Sequence, residues 1–171
     1  TSNNTTPTVT ASSSNVVTCT QSTTTVSASA TASGTNTISG YLWSPGGQTT
    51  SSFSTSTAGT YTVTVTQNNG CTATASVTVV SDLSNPTATA SSSNVITCTQ
   101  TTTTVSATAT ASSGNTISSY SWAPGGQTTS SFSTSTAGTY TVTVTQSNGC
   151  TSTASVTVTS NISTATVTAA S

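Results

Sequence analysis

The feature that most constrains this chain is that it repeats itself: Cys19 and Cys98, Trp43 and Trp122, and Cys71 and Cys150 each stand 79 residues apart. Aligned without gaps, residues 7–85 and 86–164 differ at 15 positions and agree at the other 64 of 79. That period is too long for a helical solenoid unit and suits one small domain. The expected organisation is the end of a preceding repeat at residues 1–6, repeats at 7–85 and 86–164, and the start of a third at 165–171. There Thr166, Thr168 and Ala169 fall on Thr87, Thr89 and Ala90. The chain is therefore expected to be cut from a longer tandem array.

Within a repeat the apolar residues recur at period two. In Thr60 to Gln67, Tyr61, Val63 and Val65 alternate with Thr, which makes one face apolar and the other hydroxylated. Thr24 to Ala32 alternates around Val26, Ala28 and Ala30, and Thr72 to Val80 around Val77 and Val79. Ile38 to Trp43 is a further strand, stopped by Pro45-Gly46-Gly47, which cannot continue a ladder. Thr49 to Thr55, Thr8 to Ala11 and Val16 to Cys19 complete the set, and Asn68-Asn69-Gly70 is a hairpin turn in which Asn and Gly tolerate positive φ. Short strands at this spacing, with no helical periodicity anywhere, predict an all-β fold of tandem immunoglobulin-like β-sandwich domains. The expected core is Tyr41, Trp43, Phe53, Tyr61, Val63 and Val65, with Tyr120, Trp122, Phe132, Tyr140, Val142 and Val144 in the second repeat. A Trp can stack on a sugar, but on a central strand of a small sandwich the core is its expected place.

Composition limits the chemistry. There is no Lys, Arg or His and one carboxylate, Asp82, in a chain with 50 Thr and 36 Ser among 171 residues. A hydroxyl becomes a nucleophile only with a base beside it, and general acid–base work needs a titratable group within hydrogen-bond reach. No enzyme activity, catalytic residue or cofactor is expected. Nucleic-acid binding draws on Lys and Arg at phosphates, and attraction to anionic lipid draws on the same cations, so neither partner is expected. One Asp does not make a calcium cage, and the Cys spacings are not those of a zinc site, so no metal is expected. The apolar runs are too short for a spanning helix, and no membrane insertion is expected in this segment.

The Cys19, Cys71, Cys98 and Cys150 set reads as two disulfides made in an oxidising, extracytoplasmic setting. The core is thin for a domain of this size, so a staple is expected. Closing the 52 residues from Cys19 to Cys71 is worth on the order of 4 kcal/mol in the chain-entropy account. The expected pairs are Cys19–Cys71 and Cys98–Cys150, since each repeat then supplies its own. Topology leaves an alternative open: a Cys between the first two strands and one at the last hairpin can lie at opposite ends of a sandwich, which would favour pairing across repeats such as Cys19 with Cys150.

Three segments carry a resemblance: Tyr41-Leu42-Trp43-Ser44-Pro45-Gly46-Gly47, Ala58-Gly59-Thr60-Tyr61-Thr62-Val63-Thr64-Val65-Thr66 and Asn69-Gly70-Cys71-Thr72-Ala73. Together they resemble the SprB-type and PKD-like immunoglobulin-like repeats of Bacteroidota cell-surface adhesins, over both repeats nearly end to end. The resemblance implies a giant repetitive adhesin on the bacterial cell surface, exported by type IX secretion and displayed as filaments. Two departures stand out: Gln67 and Gln146 occupy a position where such repeats usually carry Asp, and Gly46-Gly47 replaces the Asp-Gly of PKD domains. The absence of Lys also forbids the Lys–Asn isopeptide bonds that rigidify many bacterial stalks.

The expected function is a non-catalytic structural stalk segment of a long extracellular adhesin or filament, with neighbouring repeats of the same chain as its partners. The alternative is a subunit that self-assembles with other copies of itself into a multi-chain filament, since nothing on the surface repels. A carbohydrate-binding module of a secreted enzyme ranks third, for want of exposed aromatics. Asn3, Asn4 and Asn161 lie in Asn-x-Ser/Thr contexts. With almost no charge, solubility rests on hydroxyls, and O-linked glycans on Ser or Thr are a further expected partner. Mass spectrometry of the native chain decides this: glycans add to the 16.6 kDa polypeptide mass, and an intact mass equal to it removes them.

Overall fold

The computed structural model describes residues 4–163, all of whose regular structure is strand. The third-repeat start at 165–171 and residues 1–3 of the leader lie outside the described residues. The chain divides into two compact units, Thr1–Leu83 and Ser84–Ser171.

In the first unit the strands are β1 (Thr8–Ser13), β2 (Val17–Thr18), β3 (Thr24–Thr31), β4 (Ile38–Ser44), β5 (Ser52–Thr55), β6 (Gly59–Gln67), β7 (Thr72–Val79) and β8 (Ser81–Asp82). One antiparallel sheet runs β1-β3-β5 and the other β4-β6-β7, while β2 pairs with β8 in parallel. The two sheets pack face to face because alternation gives each a single apolar face. Along β6, Tyr61, Val63, Val65 and Gln67 are buried while the residues between them are not. Val17, Val26, Trp43 and Val79 complete the buried core, and Ala11, Ala28, Ala30 and Val77 pack against it.

Aromatic geometry orders this core. Trp43 and Phe53 meet edge to face at 5.4 Å between centroids, and Phe53 and Tyr61 at 5.5 Å. The indole N–H of Trp43 donates to Thr50 O at 3.0 Å, so the ring is buried without an orphan donor. The Tyr61 hydroxyl, at the start of β6, donates to Thr57 O at 3.0 Å and also bonds the Thr55 hydroxyl. A Tyr at that corner bonded to backbone a few residues upstream, with a Trp buried on the adjacent strand β4 of the same sheet, is the immunoglobulin arrangement. Each unit is an immunoglobulin-like β-sandwich.

The second unit repeats the first, with β9 (Thr87–Ser92), β10 (Ile96–Thr97), β11 (Thr103–Thr110), β12 (Ile117–Ala123), β13 (Ser131–Thr134), β14 (Gly138–Gln146), β15 (Thr151–Val158) and β16 (Ser160–Asn161). Its sheets are β9-β11-β13 and β12-β14-β15, with β10 beside β16. The Trp122 N–H donates to Thr129 O at 3.0 Å and the Tyr140 hydroxyl to Thr136 O at 3.0 Å, as in the first unit.

Trp43, Tyr61, Val63, Val65, Trp122, Tyr140, Val142 and Val144 are buried. Tyr41, Phe53, Tyr120 and Phe132 differ from expectation: they are partly buried and pack against the core rather than inside it. Phe53 and Phe132 lie on the four-residue edge strands β5 and β13, which leave part of each ring uncovered. At the end of the first repeat, Ser81 and Asp82 pair with Val17 and Thr18. In the β6–β7 hairpin only Gly70 takes positive φ, at 82°, so the turn is a three-residue loop closed by glycine.

Removing the Tyr140 hydroxyl by Tyr140→Phe is expected to destabilise the second unit by about 1 kcal/mol, and Trp122→Ala by about 3–5 kcal/mol. Urea unfolding followed by tryptophan fluorescence for the first, and circular dichroism for the second, measures both.

Candidate functional site

The chemistry of this molecule resides in its hydroxyl faces, its buried glutamines and its cysteines. On the outer face of β6 and β7, Thr60 lies opposite Thr78, Thr62 opposite Ser76, Thr64 opposite Thr74 and Thr66 opposite Thr72. The Thr60 and Thr78 hydroxyls bond at 3.2 Å, and those of Thr62 and Ser76 at 2.8 Å. The second unit reproduces both pairs, Thr139 with Thr157 and Thr141 with Ser155. β-branched hydroxyl residues suit such a surface because Thr combines strand preference with cross-strand hydrogen bonding. The result is a neutral face whose hydroxyls partly satisfy one another and partly meet solvent.

Gln67 and Gln146 are 1% exposed, although each ends a strand rich in polar residues. In the second unit the Gln146 amide donates to Ser84 O at 2.6 Å, and its oxygen accepts the Ser112 N–H at 3.1 Å. Asn148 donates to the same Ser84 carbonyl at 3.1 Å. In the first unit Gln67 bonds Thr5 O in the same way and accepts the Ser33 N–H at 3.1 Å. One side chain therefore ties the segment entering the sandwich to the loop between the third and fourth strands. In the sequence these glutamines stand out only as a departure from Asp. Their parity with Tyr61, Val63 and Val65 was the signal that they point inward.

The cysteines depart from the expected pairing. Cys19 and Cys150 are each disulfide-bonded, while Cys71 and Cys98 are free thiols. Neither Cys19–Cys71 nor Cys98–Cys150 forms, and strand geometry gives the reason. Cys71 immediately precedes β7 at the hairpin, where its thiol lies 3.6 Å from Asn4 Oδ1 at the entry of the chain. Cys19 follows β2, which pairs with β8 beyond the other end of β7. The eight residues of β7 alone advance about 26 Å, and a disulfide needs Cα atoms within about 7 Å.

Among the described residues no group of three or more His, Cys, Asp or Glu is placed to hold a metal, no pocket opens, and no helix is long and apolar enough to cross a membrane. Trp43 and Trp122, each 1% exposed, present no ring face to solvent.

No family model and no curated protein matches the sequence. Solved structures do align with it. The ectodomain of mouse nectin-like molecule 4, Ig1 to Ig3, aligns at 11% identity and TM-score 0.38, over 95% of this chain and 66% of that one. The Yersinia pseudotuberculosis adhesin InvE aligns at 14% identity and TM-score 0.28, over 89% and 58%. SGBP-B of the Bacteroides ovatus mixed-linkage glucan utilization locus, solved in complex with a mixed-linkage heptasaccharide, aligns at 20% identity and TM-score 0.21, over 82% and 41%. The chain thus spans 66% or less of the length of each, and likeness at this level says nothing of ligand or activity.

Replacing Gln146 with Leu leaves the Ser112 amide without its side-chain acceptor and removes one of the donors to the Ser84 carbonyl, which keeps Asn148. The expected loss is about 2 kcal/mol of stability in the second unit. Hydrogen exchange provides the check, since the Ser112 amide should lose protection more than the amides of β14.

Proposed function

We propose that this chain is a non-catalytic segment of a long repetitive extracellular stalk, of the kind its resemblance to SprB-type and PKD-like surface repeats implies. One observation carries the reading: neither unit has been specialised. The two sandwiches share strand order, core, tyrosine corner and glutamine bonds, and Leu42, Ser44 and Asn68, where the repeats differ, are exposed. A binding or catalytic module duplicated for function tends to acquire a distinct polar cluster in one copy, whereas a spacer is served by copies that remain alike.

Two further features support it. The disulfide-bonded state of Cys19 and Cys150 suits an oxidising compartment outside the cytoplasm. A surface of Thr and Ser with almost no charge offers no base, acid or cation for chemistry on a substrate, which favours a structural role over an enzymatic one. Neighbouring repeats are the proposed partners.

The second reading, a multi-chain filament, draws on the edges of the sandwich. β4 and β5 are edge strands of their sheets, and no Lys or Glu stands on them to discourage pairing with another chain. Light scattering on the chain with its free thiols alkylated separates the two. A particle of the single-chain mass, 16.6 kDa, is expected of a stalk segment, and concentration-dependent assembly would replace that reading with the filament. Electron microscopy of the native material gives the same decision, by showing a thread one domain wide or several chains in helical register.

A further inference from the structure

We infer that the grip of Gln67 and Gln146 on the entering chain makes each sandwich indifferent to acid: a buried contact that must both donate and accept is made by a group that does not titrate. The inference goes beyond the stalk reading, and it holds equally for a chain that assembles with its copies.

The position calls for a donor and an acceptor together. In the second unit the Gln146 carboxamide, 1% exposed, donates to Ser84 O at 2.6 Å and accepts the Ser112 N–H at 3.1 Å. In the first unit Gln67, equally buried, donates to Thr5 O and accepts the Ser33 N–H at 3.1 Å. The Ser33 hydroxyl lies 3.1 Å from Gln67 Nε2, and the Ser112 hydroxyl 3.2 Å from Gln146 Nε2. A primary amide meets these demands in acid and at neutrality alike. A carboxyl group meets them only while protonated, because a carboxylate has no hydrogen to offer the carbonyl it would face. Burial and that facing carbonyl would both disfavour its charge and raise its folded-state pKa.

The surroundings add nothing that acid can charge. The chain contains no His, Lys or Arg. The glutamines bond only main-chain groups and serine hydroxyls. Of the cysteines that end their hairpins, Cys71 is a thiol, which acid leaves neutral, and Cys150 is disulfide-bonded. The one side-chain carboxylate, Asp82, stands in β8 opposite Thr18. The same rung in the second unit is made by Asn161 opposite Thr97, so the pairing does not require a charge. Stability varies with pH only as far as the folded and unfolded chains bind different numbers of protons. Through the acid range these units offer almost no such difference.

The test is urea unfolding of the 171-residue chain and of its Q67E/Q146E and Q67L/Q146L variants, followed by the fluorescence of Trp43 and Trp122, one in each unit. The midpoint of the unaltered chain is expected to agree within about 0.3 M between about pH 3 and about pH 7. The glutamate variant has the opposite behaviour built in. Its folded-state pKa lies above the unfolded value, so its stability is present below the unfolded pKa and lost as pH rises through the folded one. Its midpoint is expected to approach that of the unaltered chain at about pH 3 and to lie about 1 M or more lower at about pH 7. The leucine variant, with no proton to lose, is expected to be weaker by the same amount at both. The inference is overturned if the unaltered chain shifts by more than the stated margin, or if the glutamate variant is as weak in acid as at neutrality.

Discussion

Neutral hydrogen bonding is the constraint on which the rest of this structure depends. With one carboxylate and no basic residue, no ion pair between side chains is available to order a loop or fix a register, and every polar group taken from water must be met by an amide, a hydroxyl or a carbonyl. The strands answer this with ladders, and their outer faces with paired hydroxyls such as Thr62 and Ser76. Among the buried polar atoms, Trp43 N–H is matched to Thr50 O, the Tyr61 hydroxyl to Thr57 O and the Gln67 amide to Thr5 O, while Gln48 Oε1 and Gln127 Oε1 are buried without a hydrogen-bond partner. A neutral pair costs less to desolvate than an ionic one, so a thin core can accommodate it.

Gln67 and Gln146 show how this works in detail. A primary amide offers two donors and an acceptor in one plane, enough to join two backbone segments that would otherwise have no common partner. A carboxylate in the same place could accept the Ser33 or Ser112 N–H but could not donate to the carbonyl of the entering segment. The departure from Asp is therefore a change in what the position can hold together.

Much of the architecture was legible because period-two alternation is a local signal. Tyr61, Val63 and Val65 declare a face without reference to anything distant, and the strands expected around them differ from those observed by a few residues at their ends. The fully buried aromatics followed from the same pattern. What was not legible depends on distance in space. Phe53 looks like core in the sequence, but the shortness of β5 leaves it at the rim. The glutamines alternate in phase with the valines, yet their polarity hid the direction in which they point. Cysteine pairing was least accessible of all, because spacing in sequence says nothing of which end of a sandwich a residue occupies, and only the register of β2 with β8 places Cys19 away from Cys71.

The glutamine contacts have a consequence for how such a gene can change. Gln67 and Gln146 grip a main-chain carbonyl, and the residue that owns it is Thr5 in one unit and Ser84 in the other. Recognition of that carbonyl does not depend on the side chain of the residue that owns it, so this contact survives a change in the identity of the residue that precedes each sandwich. A change in the number of copies then leaves this contact, and the sandwich it closes, intact.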